Sequence, residues 1–142
     1  MYIPLSKMSP VNTDFPTVRR GSLQTLQVNV GYLCNQACKH CHVNAGPKRT
    51  EVMTEDTSDA LIEFLDRSEV RRLDLTGGAP ELNPHFRRLV LAARTRNIEV
   101  IDRCNLTVLA EPGQEDLADF LAEQEVEVVA SLPYYLEQTV NE

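Results

Sequence analysis

From Leu23 onward, short apolar runs of strand period alternate with amphipathic stretches of helical period, and that alternation limits what the chain can fold into. Leu26, Val28 and Val30 alternate with Gln27 and Asn29, as in a strand with one buried face. Thr54 can cap a helix with Glu55 and Asp56 in its first turn and Leu61, Phe64 and Leu65 on one face. Val70, Leu73 and Leu75 read as a second strand, ending at Thr76-Gly77-Gly78. Asn83 followed by Pro84 reads as a cap with proline at the first helical position, ahead of a face of Phe86, Leu89, Val90 and Ala93. Ile98, Val100 and Ile101 give a third strand. After the Pro112–Gly113 break, Leu117, Phe120 and Leu121 mark a third helix. Val126, Val128, Val129 and Ala130 mark a fourth strand, whose nearly continuous apolar run predicts burial on both faces. One strand followed by three αβ units with short connections predicts an α/β fold, a parallel sheet with helices packed outside. Periodicity leaves two architectures open, a doubly wound sheet or part of a (β/α) barrel.

Residues 1–23, with Pro4, Pro10 and Pro16 and no period, read as an extended N-terminal arm ahead of a core over 24–142. The 142 residues are enough for one domain with a sizeable core. No run approaches a membrane span, and Met1–Pro10 has no apolar signal region, so the expected compartment is the cytoplasm. A net charge of -7 argues against nucleic acid as a partner. The charge is uneven: residues 1–49 carry six basic side chains against Asp14 alone, so the rest of the chain carries -12. The positive flank would favour an anionic ligand near residues 34–41.

Three of the four cysteines fall in Cys34-Asn35-Gln36-Ala37-Cys38-Lys39-His40-Cys41, directly after the first strand. Such crowding is ligand spacing, and a reducing cytoplasm disfavours disulfides. Soft thiolates suit either an iron–sulfur cluster or zinc. Three thiolates on a four-iron cubane leave one iron open for chemistry. Structural zinc wants four protein ligands, which His40, His42 or Cys104 could complete. Zinc sites usually pair their ligands across a gap, and this run has no second pair.

The C-x3-C-x2-C spacing after a first strand, followed by Asp74-Leu75-Thr76-Gly77-Gly78-Ala79-Pro80-Glu81 at the end of the second, resembles the radical S-adenosylmethionine superfamily. That resemblance implies a partial (β/α) barrel with about four parallel strands and three helices. It implies a [4Fe–4S] cluster on Cys34, Cys38 and Cys41, and S-adenosylmethionine held by its amino end along Thr76, Gly77, Gly78, Ala79, Pro80 and Glu81. His40 stands where many members carry an aromatic residue over the adenine. The strings CNQACKHCHVNAGP, LDLTGGAPELNPHF, IDRCNLTVL and VEVVASLPYYLEQTV are further similar to the radical proteins of arsenosugar biosynthesis. Tyr134 departs from that family, which tends to carry cysteine or selenocysteine there.

By the resemblance, one electron reaches S-adenosylmethionine from the reduced cluster. It cleaves to methionine and a 5′-deoxyadenosyl radical, which the arsenosugar family transfers to methylated arsenic. The implied partners are a small-molecule substrate and an electron donor such as flavodoxin or ferredoxin. Acting groups of a barrel sit at the C-terminal ends of its strands. That rule adds Arg103 and Asn105 after the third strand and Ser131 after the fourth as cofactor-binding candidates, with Cys104 left ambiguous. A fourth strand apolar on both faces wants two neighbours, so the barrel reads as truncated, the front portion of a longer protein or one needing a partner. The competing reading is a non-catalytic module that binds zinc or a cluster.

Overall fold

A computed structural model describes residues 19, 21–39 and 41–131. Most of the arm expected over 1–23, His40, and Tyr134 with the rest of the chain after Ser131 lie outside the described residues. The elements run β1 (Thr25–Asn29), α1 (Glu55–Arg67), β2 (Arg72–Thr76), α2 (Phe86–Arg94), β3 (Glu99–Asp102), α3 (Leu117–Glu123) and β4 (Glu127–Val128). The strands lie in the order β1-β2-β3-β4 and every pair is parallel. A doubly wound sheet reverses its order at a switch point. Here the order never reverses, and right-handed crossovers then put all the helices on one face. The α/β fold is therefore a partial (β/α) barrel.

Register decides what each face carries. Leu26, Leu73 and Val100 stand side by side, as do Val28, Leu75 and Asp102. This set faces the helices and packs with Phe86, Leu89, Val90, Ala93, Leu117 and Leu121 in one core. The alternate residues, Gln27, Asp74 and Ile101, occupy the other face.

Local chemistry explains most boundaries. Thr54 caps α1, its hydroxyl accepting from Thr57 N at 3.4 Å. Asn83 does something other than the expected helix cap. Its Oδ1 accepts from His85 N at 2.7 Å, and α2 begins only at Phe86. Its Nδ2 donates to Val30 O at 2.8 Å and Met53 O at 3.3 Å, so the side chain ties the end of β1 to the segment before α1.

Two expectations about burial fail. Phe64 is 43 % exposed. The inner face of α1 runs through Ser58, Leu61, Ile62 and Leu65, and Phe64 falls outside that stripe. β4 is not buried on both faces: it spans two residues, both exposed. Among the described residues it pairs with β3 alone, so its outer edge has no cover.

The turn after β2 docks the cysteine loop onto the sheet. Gly78 N donates to Gly31 O at 3.0 Å and Ala79 N to Leu33 O at 2.9 Å. A Cβ at Gly77 would lie 2.5 Å from Gly31 O, and one at Gly78 would collide with Leu33 O. Gly77 also has φ 142, where other residues are strained. Close chain-to-chain packing is thus the first reason for both glycines.

Pro80–Leu82 forms a short 3-10 turn that carries Glu81 to the helix side, beside Asp102 and Cys104. Their ligand-capable atoms lie within 4.8 Å of one another and all three residues are buried. Among the described residues none of the four carboxylate oxygens has a hydrogen-bond partner. Burial, reinforced by the neighbouring Glu81, pushes Asp102 up to about 9. Removing the Asp102 carboxylate from water beside a second acidic group disfavours its charged form.

Two outcomes follow. The folded chain keeps on Asp102 a proton that the unfolded chain releases near its ordinary 3.8. This contribution is full below about pH 4, declines as pH rises, and is gone above about pH 9. Urea midpoints should fall between about pH 5 and pH 8 for the wild type and less for Asp102→Asn; equal slopes would contradict the raised Asp102. Gly78→Ala should lose on the order of 1–3 kcal/mol in the same assay, while Gly21→Ala, with nothing within 4 Å, should be near neutral.

Candidate active site

The site lies beyond the C-terminal ends of β1, β2 and β3, where the cysteine loop folds over the sheet. Cys34 N donates to Gly46 O at 3.3 Å and Gly46 N to Tyr32 O at 3.0 Å, which closes the loop on itself. Its inner turns are held by Cys41 N to Cys38 O and Asn44 N to Cys41 O, each 3.1 Å. Arg49 stacks over Tyr32 at 4.7 Å and bonds Asn44 O at 2.6 Å, bracing the loop from outside.

An open cavity of about 390 Å³ lies under this loop. The structure brings Cys34, Cys38 and Cys41 to it together with Thr76, Gly77 and Gly78. Arg103, Cys104, Asn105 and Ser131 line it as well. Three expected residues do not reach it. Ala79 is buried against the loop, Pro80 opens the 3-10 turn, and Glu81 points into the interior beside Asp102. The residue following the two glycines is Ala79, and the first carboxylate after them, Glu81, is not among the residues that line the cavity.

All four cysteines are free. Burial raises the Cys34 thiol, partly offset by hydrogen bonds from Gln36 N and Asn105. Cys104 is pushed up to about 12 by burial and by Glu81, so the free side chain stays a neutral thiol at physiological pH. Among the described residues, the three loop thiols do not converge within 4.8 Å as a ligand set. A tetrahedral zinc, with Zn–S of about 2.3 Å, would hold its sulfurs about 3.8 Å apart. A multi-iron cluster instead takes each thiolate on a different iron and spreads them wider. The carbonyls of Gly77 and Gly78 accept no backbone hydrogen bond among the described residues. They are free acceptors for a cationic donor. Three spread thiols and two glycines with free carbonyls on one cavity fit a cluster together with an ammonium-bearing ligand.

The floor of the cavity is electrostatically organised. Arg103 grips Asp74 through Nε and an Nη nitrogen, each at 2.8 Å, and Gln27 Nε2 adds a bond of 2.9 Å. The Arg103 guanidinium holds the Asp74 carboxyl below its ordinary range. Sequence reading passed over Asp74, although a carboxylate between Leu73 and Leu75 in a strand was a visible anomaly. It also passed over Asn35, whose partners Asn105, Thr107 and Glu111 are about 70 residues away and leave no local signal. No helix among the described residues is long and apolar enough to cross a membrane.

The sequence is similar to known proteins over about half of its length. The mycofactocin maturase MftC of Mycobacterium ulcerans (strain Agy99) is 30% identical over 69 residues, covering 49% of this chain and 19% of that protein. The mycofactocin maturase MftC of Mycobacterium tuberculosis (strain CDC 1551 / Oshkosh) is 34% identical over 70 residues, 49% of this chain and 18% of that protein. The chain thus spans under a fifth of the length of these curated relatives in the matched region. Enzymes of the Radical SAM superfamily use a [4Fe–4S] cluster with S-adenosylmethionine. Residues 28–132, which hold the cysteine loop, the glycine turn and all four strand ends, match that superfamily, and the chain belongs to it.

Proposed function

We propose that Cys34, Cys38 and Cys41 hold a [4Fe–4S] cluster, that the Gly77–Gly78 turn receives S-adenosylmethionine, and that the protein acts as a radical enzyme. The observation that carries this reading is the meeting of three free thiols and two unpartnered glycine carbonyls on one cavity. Bound together, the two cofactors supply one-electron cleavage of a carbon–sulfur bond, giving a carbon radical at the 5′ position.

The chain's own groups do the rest. The carbonyls of Gly77 and Gly78 accept from the amino group of the methionine end. Arg103 is fixed by Asp74 but still lines the cavity, so it offers a directed N–H to a carboxylate or ribose oxygen. Thr76 and Ser131 add hydroxyls at two strand ends. The loop covers the cavity on one side and limits water there. Ala79, Pro80 and Glu81 support the turn from behind. His40 retains the stacking role that its place in the motif implies.

Residues 24–142 form the radical core and 1–23 an arm ahead of it. The finer reading is adenosyl transfer to methylated arsenic in arsenosugar biosynthesis, supported by the likeness of the four sequence strings. A small-molecule substrate, a donor such as flavodoxin or ferredoxin, and a cytoplasmic setting go with it. The relatives' name, a maturase of mycofactocin, marks the rival substrate, and their likeness covers 49% of this chain.

Anaerobic reconstitution with iron and sulfide should give a brown protein absorbing near ~400 nm with about four irons per chain. Alanine at Cys34, Cys38 or Cys41 should each abolish it, and Cys104→Ala should not. With dithionite and S-adenosylmethionine, the wild type should release 5′-deoxyadenosine. A colourless protein with one tight zinc, or loss of the cluster in Cys104→Ala, would contradict the assignment.

A further inference from the structure

One side chain from outside the cysteine loop touches a loop sulfur. Asn105 Nδ2 lies 3.5 Å from Cys34 Sγ and 2.8 Å from Asn35 Oδ1. Its orientation is fixed by chemistry, because its Oδ1 accepts from the backbone N–H of Val108 at 3.1 Å, and a backbone N–H can only donate. The amide nitrogen must therefore face the sulfur. Thr107 Oγ1 adds a second bond to Oδ1 at 3.1 Å.

The surroundings hold Asn105 in place. Asn35 Nδ2 donates to Thr107 Oγ1 at 2.9 Å and to Glu111 Oε1 at 3.0 Å. Leu106, the next residue, is bent to φ 60, an unfavourable left-handed conformation for a bulky side chain. That bend lets the chain turn back so that the Asn105 side chain serves both Val108 and Cys34. Strain kept beside a functional centre asks for a reason.

We propose that Asn105 is a positioning residue for electron transfer: its N–H donates to the Cys34 sulfur and makes the cluster easier to reduce. The inference rests on the cluster reading given above. Hydrogen bonds to cluster sulfurs stabilise the electron-rich reduced state and so raise the reduction potential. One electron enters the cluster from the external protein donor, and Asn105 makes and breaks no covalent bond. Gln36 N also donates to the same sulfur at 3.4 Å, but it belongs to the loop itself. Asn105 comes from β3's end, so it links the sheet to the cluster's electronic state.

The test is a redox titration of the reconstituted chain, followed by electron paramagnetic resonance, with iron content measured in parallel. Asn105→Ala removes the donor. Asn105→Asp keeps the size and an acceptor for Val108 N but puts a negative charge in the donor's place. Both should hold iron as the wild type does and show a lower midpoint potential, with Asn105→Asp the lower. At a fixed poise the reduced-to-oxidised ratio in Asn105→Ala should fall by up to about tenfold, the scale of one hydrogen bond. Asn35→Ala, which removes the clamp but leaves the donor, should shift it less. An unchanged midpoint in both Asn105 variants would overturn the proposal. So would iron loss with the remaining cluster at the wild-type potential, which marks a purely structural residue, or an equal shift in Asn35→Ala. A wild-type chain that takes up no cluster would refute the cluster reading instead.

Discussion

The two backbone hydrogen bonds from Gly78 N to Gly31 O and from Ala79 N to Leu33 O are what the rest of the site depends on. They join the end of β2 to the start of the cysteine loop at a separation that leaves no room for a Cβ. Without them the loop would lose its backbone tie to the end of β2. With them, Cys34 sits directly against the glycine turn, and both glycines line the cavity. A requirement of packing and a requirement of ligand binding are met by the same two residues.

The sheet then gives the site two sides of different chemistry. On the helix side the core is mainly apolar, with Glu81 and Asp102 buried beside one another without hydrogen-bond partners among the described residues. On the other side lie Gln27, Asp74 and Arg103, with Asp74 bonded by both others and Arg103 lining the cavity. Alternation along β2 and β3 produces this division, since neighbours in sequence point to opposite faces. Asp74 and Asp102 are both strand carboxylates, yet one is held ionised by an arginine and the other is held protonated by burial. Environment, not residue type, decides their charge.

Element order was legible in the sequence because each αβ unit carries its own signals. Thr54 caps α1 as its position suggests, and Leu89, Val90 and Ala93 meet the core as their spacing suggests. What failed was anything decided by distant neighbours. Phe64 has helical spacing but lies off the stripe that meets the sheet, and Val128 is apolar but stands at an edge. The motif residues separated in the same way. Cys34, Cys38, Cys41 and the glycines share a cavity, whereas the 3-10 turn at Pro80–Leu82 swings Glu81 to the opposite side. The Asn105–Cys34 contact joins residues 71 apart and has no trace in local pattern.

The central claim is that three cysteines carry a four-iron cluster with one iron left open beside the glycine turn. Mössbauer spectroscopy of the chain reconstituted with ⁵⁷Fe tests it most directly. The account predicts that adding S-adenosylmethionine changes the signal of one iron in four and leaves the other three as they were. A spectrum unaltered by S-adenosylmethionine, or four equivalent irons with a fourth protein ligand, would contradict it.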